Sequence, residues 1–149
     1  MAVRVYLDTN IYNRQFDDQT QRRIWLETEA CSIIIQMIEN RTLRLITSFV
    51  VSYENSRNPH KIRQIWVARI QKSAIHNQDI NHDIQQRAQE LEKTRFKTLD
   101  ALHVACAEAA NCDYFITCDD RLVRAYKSLK QPKITICNPT KFIRMVKGA

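Results

Sequence analysis

Two periodicities alternate along the chain. Short runs of strand length are almost wholly apolar, and between them apolar residues recur every three or four positions. Val3 to Leu7 (V-R-V-Y-L) is the first run and predicts a short, mostly buried strand. Thr20 to Asn40 carries Ile24, Cys31, Ile34, Ile35 and Ile38 at helical spacing, which predicts a long helix with one broad apolar face. Leu43 to Ile46 predicts a second strand. Thr47 or Ser48 can cap the helix that follows through Phe49 to Glu54, and Asn58-Pro59 breaks it. Ile62, Ile65, Trp66 and Ile70 mark a further helix, and Ile84, Ala88 and Leu91 another. Thr98 can cap an alanine-rich helix from Leu99 to Asn111. Tyr114 to Thr117 predicts a strand, Arg121 to Leu129 a helix and Ile134 to Cys137 a last strand, with a short helix after Pro139.

Strands separated by helices cannot pair as hairpins, so the sheet is expected to be mainly parallel with helices on both faces. No linker, repeat or low-complexity tract interrupts the pattern. Residues 1–149 therefore read as one α/β domain, a three-layer α/β/α sandwich.

Composition narrows the chemistry. The only glycine is Gly148. That excludes a glycine-rich phosphate loop, a dinucleotide fingerprint and a G-x-S-x-G nucleophile elbow. The net charge of +7 and pI near 9.3 point toward a polyanionic partner. Apolar runs such as Ile33 to Ile35 are far too short to span a bilayer, and Met1-Ala2-Val3-Arg4 lacks the shape of a signal peptide. The five cysteines (Cys31, Cys106, Cys112, Cys118, Cys137) contain no C-x-x-C pair and sit among apolar residues. They read as buried reduced thiols of a cytoplasmic protein.

Ligands of open parallel sheets bind beyond the carboxyl ends of the strands. Asp8 follows the first strand directly, and Asp119 and Asp120 lie just past Tyr114 to Thr117. Glu54 ends the run from Phe49, and Asp100 lies in the first turn of the alanine-rich helix. Each alone could be a helix cap or a solvated acid. Gathered at one end of a sheet they would repel, at about 4 kcal/mol per pair at ~4 Å and an effective dielectric of 20. A divalent cation removes that cost, and oxygen-only ligands suit Mg²⁺ or Mn²⁺ over zinc.

Four segments carry a resemblance. They are Tyr6 to Asn10 (Y-L-D-T-N), Ser52 to Glu54 (S-Y-E), Thr98 to Ala107 (T-L-D-A-L-H-V-A-C-A) and Thr117 to Leu122 (T-C-D-D-R-L). In this order and spacing the chain resembles the PIN-domain nucleases, especially the small single-domain toxins of toxin–antitoxin pairs. The resemblance implies a metal-dependent ribonuclease. Asp8, Glu54, Asp100 and Asp119 would be its catalytic and metal-binding acids around Mg²⁺ or Mn²⁺. Asn10 and Thr117 match the supporting polar positions. The T-x-D spacing from Thr117 selects Asp119 and leaves Asp120 beside it as support. Glu29 is the alternative to Glu54 as second acid. His103, one turn from Asp100, reads as a packed or hydrogen-bonded residue rather than a base.

Two stretches lack acids altogether. Asn55 to Gln78 carries Arg57, Lys61, Arg63, Arg69 and Lys72, and Arg121 onward carries Arg124, Lys127, Lys130, Lys133, Lys141, Arg144 and Lys147. Both follow a proposed acid and would rim the metal site with positive potential suited to RNA. Arg57 and Arg121 are the preferred phosphate contacts. Trp66, at helical spacing with Ile62 and Ile70, reads as core or interface. The resemblance also implies an inhibitory antitoxin and a homodimer, with the helices between Ile62 and Leu91 as the interaction region. Competing readings are a non-catalytic RNA-binding module of the same fold and a haloacid-dehalogenase-like phosphatase. The phosphatase needs a second aspartate where Asn10 stands. A phospho-receiver domain needs an acidic pair after the first strand, and none is there.

Overall fold

The computed structural model describes residues 2–147. Met1, Gly148, Ala149 and the side chain of Lys147 lie outside that description. Among the described residues there are five strands: β1 (Val3–Leu7), β2 (Leu43–Ser48), β3 (His76–Gln78), β4 (Tyr114–Ile116) and β5 (Thr135–Cys137). The helices are α1 (Thr9–Asn13), α2 (Arg22–Glu39), α3 (Phe49–Ser56), α4 (Lys61–Gln71), α5 (His82–Glu92), α6 (Thr98–Ala109), α7 (Asp120–Lys127) and α8 (Pro139–Lys147), with a short 3-10 turn at Arg14–Phe16.

All strand pairs are parallel, in the order β3-β2-β1-β4-β5. The chain thus winds outward from β1 through β2 and β3, then crosses to the other side of β1 for β4 and β5. Right-handed crossovers put the helices of the two windings on opposite faces of the sheet. The reversal lies between β1 and β4, the switch point at which open α/β sheets take their ligands. Asp8 leaves β1 there, and its amide donates to the Ile116 carbonyl of β4 at 3.0 Å.

β1 is the central strand, and Val5, Tyr6 and Leu7 are completely buried. Alternation fails on this strand because both faces are covered, as expected for a parallel sheet. Ala101, Ala105 and Ala107 are buried on α6, so that helix lies close against its neighbours. With no glycine to spare, Arg41 (φ 67°) and Asn111 (φ 56°) take the left-handed turns that end α2 and α6. All five cysteines are buried and free. No helix among the described residues is long and apolar enough to cross a membrane.

The differences from expectation are local. β3 has no apolar pattern to announce it, and Thr9–Asn13 forms a short helix. Ser48 rather than Thr47 caps α3, accepting from the Val50 and Val51 amides. Thr98 is the first residue of α6 and not its cap, which is Lys97. α7 begins at Asp120, capped by the Asp119 side chain.

Candidate active site

Asp8 sits at the end of the central strand β1, where the chain turns into α1. Its Oδ1 accepts from the Thr9 amide at 2.7 Å, capping that helix. Its Oδ2 accepts from the Thr117 hydroxyl at 2.7 Å and from the Asn10 amide group at 3.3 Å. Asn10 also donates to Thr117 Oγ1 at 3.2 Å, and its Oδ1 accepts from the Cys118 amide at 3.0 Å. Asn10 and Thr117 thereby tie the ends of β1 and β4 together around one carboxylate.

Three other elements bring acids to the same end of the sheet. Glu54, in the last turn of α3, accepts from Thr9 Oγ1 and meets His103 Nε2 through the same oxygen, Oε1. A ligand atom from each of Asp8, Glu54 and His103 lies within 4.8 Å of the others. Asp100, in the first turn of α6, and Asp119, the cap of α7, each lie 3.7 Å from one guanidinium nitrogen of Arg121. Asp119 Oδ1 accepts from the Arg121 and Leu122 amides at 3.0 and 3.4 Å. Asp120 turns elsewhere and pairs with Arg23 of α2. Glu29 is exposed on α2 and has no part in these contacts.

The electrostatics follow from crowding. Burial, then the charges of Asp8 and Asp119, push the Asp100 carboxyl up to about 6. Burial likewise raises Asp8, against the pull of His103 and the Thr117 hydroxyl. Burial also works to raise Glu54, but His103 and Thr9 hold it below its ordinary value. Burial alone would lower His103, and its bond to Glu54 with the charges of Asp8 and Asp100 raises it instead. Four carboxylates therefore share one histidine and one arginine. That deficit of positive charge, and an acidic oxygen donor set, fit a hard divalent cation.

His103 is the member that sequence reasoning left outside the site. It is hydrogen-bonded, as expected, but its partner is Glu54 itself. The available signal was its place one turn after Asp100 on a helix of buried residues. Arg57 lies at the C-terminal end of α3, stacked over the Tyr53 ring at 5.6 Å. Its guanidinium donates to the Tyr53 hydroxyl at 3.1 Å. Trp66 is half-buried and donates to the Tyr12 carbonyl at 2.8 Å.

The PIN domain family matches residues 5–128 of the chain. Comparison with curated proteins finds no match. Among solved structures, the chain is similar to VapBC2 from Rickettsia felis bound to a DNA fragment from their promoter. The TM-score is 0.55 at 17% identity, covering 91% of this chain and 98% of that one. It is also similar to PAE2754 from Pyrobaculum aerophilum, with a TM-score of 0.54 at 15% identity, covering 99% of this chain and 92% of the other. At these identities the likeness is one of fold.

Proposed function

The chain belongs to the PIN domain family, and from that membership we propose that it is a ribonuclease hydrolysing phosphodiester bonds at the acidic site with Mg²⁺ or Mn²⁺. The supporting observation is the convergence of Asp8, Glu54, Asp100 and Asp119 from four separate elements at the β1/β4 switch point, with Arg121 between two of them. A bound divalent ion supplies activation of water and neutralises charge developing on the phosphate.

The protein's own residues do the rest. Asp8, Glu54, Asp100 and Asp119 would hold the ion. Asn10 and Thr117 fix the orientation of the Asp8 carboxylate through their hydrogen bonds to Oδ2. Arg121, half-exposed between Asp100 and Asp119, is placed to meet a phosphate. Arg57, exposed at the end of α3, takes a second phosphate. Asp120 acts only as support, by pinning the start of α7 to α2.

The same reading makes residues 1–149 one nuclease domain acting in the cytoplasm as the toxin of a toxin–antitoxin pair. The fold it shares with VapBC2 supports an antitoxin partner. Ile62 and Ile65, 75% and 60% exposed on α4, support a homodimer. RNA cleavage by wild type, Asp8→Asn and Asp100→Asn, with Mg²⁺, Mn²⁺ or chelator, tests the assignment. Cleavage by wild type that chelator and both substitutions abolish is expected. Full activity in the folded variants overturns it.

A further inference from the structure

Behind the acidic site a line of hydrogen bonds runs into the core. Ser48 Oγ accepts from the Val50 and Val51 amides at 3.1 and 3.4 Å. It lies 2.6 Å from the Tyr6 hydroxyl, which lies 2.6 Å from His103 Nδ1. The opposite ring nitrogen, Nε2, meets Glu54 Oε1. These residues come from β2, β1, α6 and α3. The His103 ring is 1% exposed and walled edge-on by Tyr6 and Phe115, with centroids at 5.7 and 6.5 Å. It has no room to turn over.

Counting donors fixes the direction of the line. An ionised carboxylate only accepts, so Nε2 carries hydrogen. In the neutral ring Nδ1 is then the acceptor, filled by the Tyr6 hydroxyl. Tyr6 in turn accepts from Ser48, whose own oxygen faces the amides at the start of α3. If the ring is protonated, Nδ1–H donates to Tyr6 and the Nε2–H to Glu54 is unchanged. Either way Glu54 Oε1 receives two donors, His103 Nε2–H and Thr9 Oγ1–H. Glu54 Oε2 has no hydrogen-bond partner among the described residues.

We propose that His103 is the positioning residue of the metal site: held by Tyr6 and Ser48, it donates Nε2–H to Glu54 Oε1 and keeps Oε2 free for the ion. It is not itself a ligand. This rests on the reading of Glu54 as a metal-binding acid. Outer partners of ligands set ligand orientation, and their removal typically costs about 10- to 100-fold in metal affinity.

The test is Mn²⁺ titration of wild type, His103→Leu and His103→Gln, followed by the electron paramagnetic resonance of free Mn²⁺. Gln can place an amide N–H where Nε2 stands, so His103→Gln retains most of the wild-type affinity. His103→Leu, folded by circular dichroism, loses about 10- to 100-fold. Nitrogen NMR of the metal-free wild type, which needs no variant, shows a protonated Nε2 on His103. Unchanged affinity in His103→Leu, equal losses in both variants, a bare Nε2, or a nitrogen bonded directly to Mn²⁺ each overturn this inference alone. A wild type that binds no Mn²⁺ overturns the metal reading beneath it as well.

Discussion

Arg23 Nη1 meets Asp120 Oδ2 at 2.7 Å, joining α2 to the first turn of α7. The residue before it, Asp119, caps the same helix and turns its other oxygen toward the Arg121 guanidinium and Asp100. Two adjacent aspartates thus hold different positions, and they are expected to fail differently. Asp119→Asn removes one of the acids proposed to bind the metal. A loss of about 3 kcal/mol in transition-state stabilisation corresponds to a ~100-fold fall in RNA cleavage. Asp120→Asn breaks an ion pair between exposed side chains, worth about 0–1 kcal/mol of stability, and keeps most of the cleavage. Cleavage rates and thermal midpoints of the two variants, side by side, check this. An inactive Asp120→Asn beside an active Asp119→Asn would reverse the assignment.

With no cation among them the acids repel one another. The Asp100 carboxyl, pushed up to about 6, holds its proton more tightly in the folded chain than in the unfolded one. Stability of the metal-free protein therefore rises as pH falls from about 7.5 toward 5, and is lost again as pH climbs through 6. Asp8, also raised, acts in the same direction. Glu54, held low, opposes this only at more acid pH. In chelator, Asp100→Asn is expected to raise the thermal midpoint at pH 7.5 and to flatten its pH dependence. Saturating Mg²⁺ should do the same for the wild type. A wild-type midpoint that falls steadily between pH 7.5 and 5.5 in chelator would show that these carboxyls do not repel.

The two kinds of residue in the site were unequally legible. Asp8, Asp100 and Asp119 are announced by their places, at a strand end, a first helical turn and a cap position, which the apolar pattern reveals. His103 is not, because its partners Tyr6 and Glu54 reach it from other elements of the fold. The same contrast separates the strands. Val5 to Leu7 is apolar because it is covered on both faces. His76–Gln78 is an edge strand, largely exposed, and pairs with β2 through backbone alone. No hydrophobic pattern marks such a strand. The T-x-D spacing from Thr117 is enough to choose Asp119 over Asp120, whereas the pairing of Asp120 with Arg23 of α2 is contained in no local spacing.

Arg22, Arg23, Lys141 and Arg144 line an open groove of about 630 Å³ between α2 and α8, with Asp120 at its margin. Arg23 is engaged by Glu27 and Asp120. Arg22, Lys141 and Arg144 form no ion pair among the described residues. On the proposed reading, these three cations would offer further contacts to an RNA strand bound at the acids. Each phosphate contact on a single strand adds about 0.7 to the slope of log affinity against log salt. Lys141→Glu with Arg144→Glu should weaken RNA binding and flatten that slope by roughly 1.4 if two contacts are lost. Fluorescence anisotropy with labelled RNA, in an Asp8→Asn background to prevent cleavage, measures both. An unchanged slope would route the strand elsewhere, past Arg57 and Arg121 alone.

Ile62 and Ile65 share the outer face of α4, and Phe49, 53% exposed, opens the adjoining α3. Ile70 and Leu91, part of the same apolar pattern in the sequence, are buried and serve the core. Only the first half of α4 is therefore left for a partner. Fully burying an isoleucine contributes roughly 1.5–3 kcal/mol, and a symmetric contact buries each residue twice. Four isoleucines and two phenylalanines give a gross gain comparable with the entropic cost of association, so a homodimer through this face would be modest and concentration-dependent. Ile62→Asp with Ile65→Asp should convert it to a monomer without loss of fold, as read by light scattering across a concentration series. A dimer that survives both substitutions must be held by another surface. A wild type that stays monomeric at the highest concentration leaves this face to a different protein.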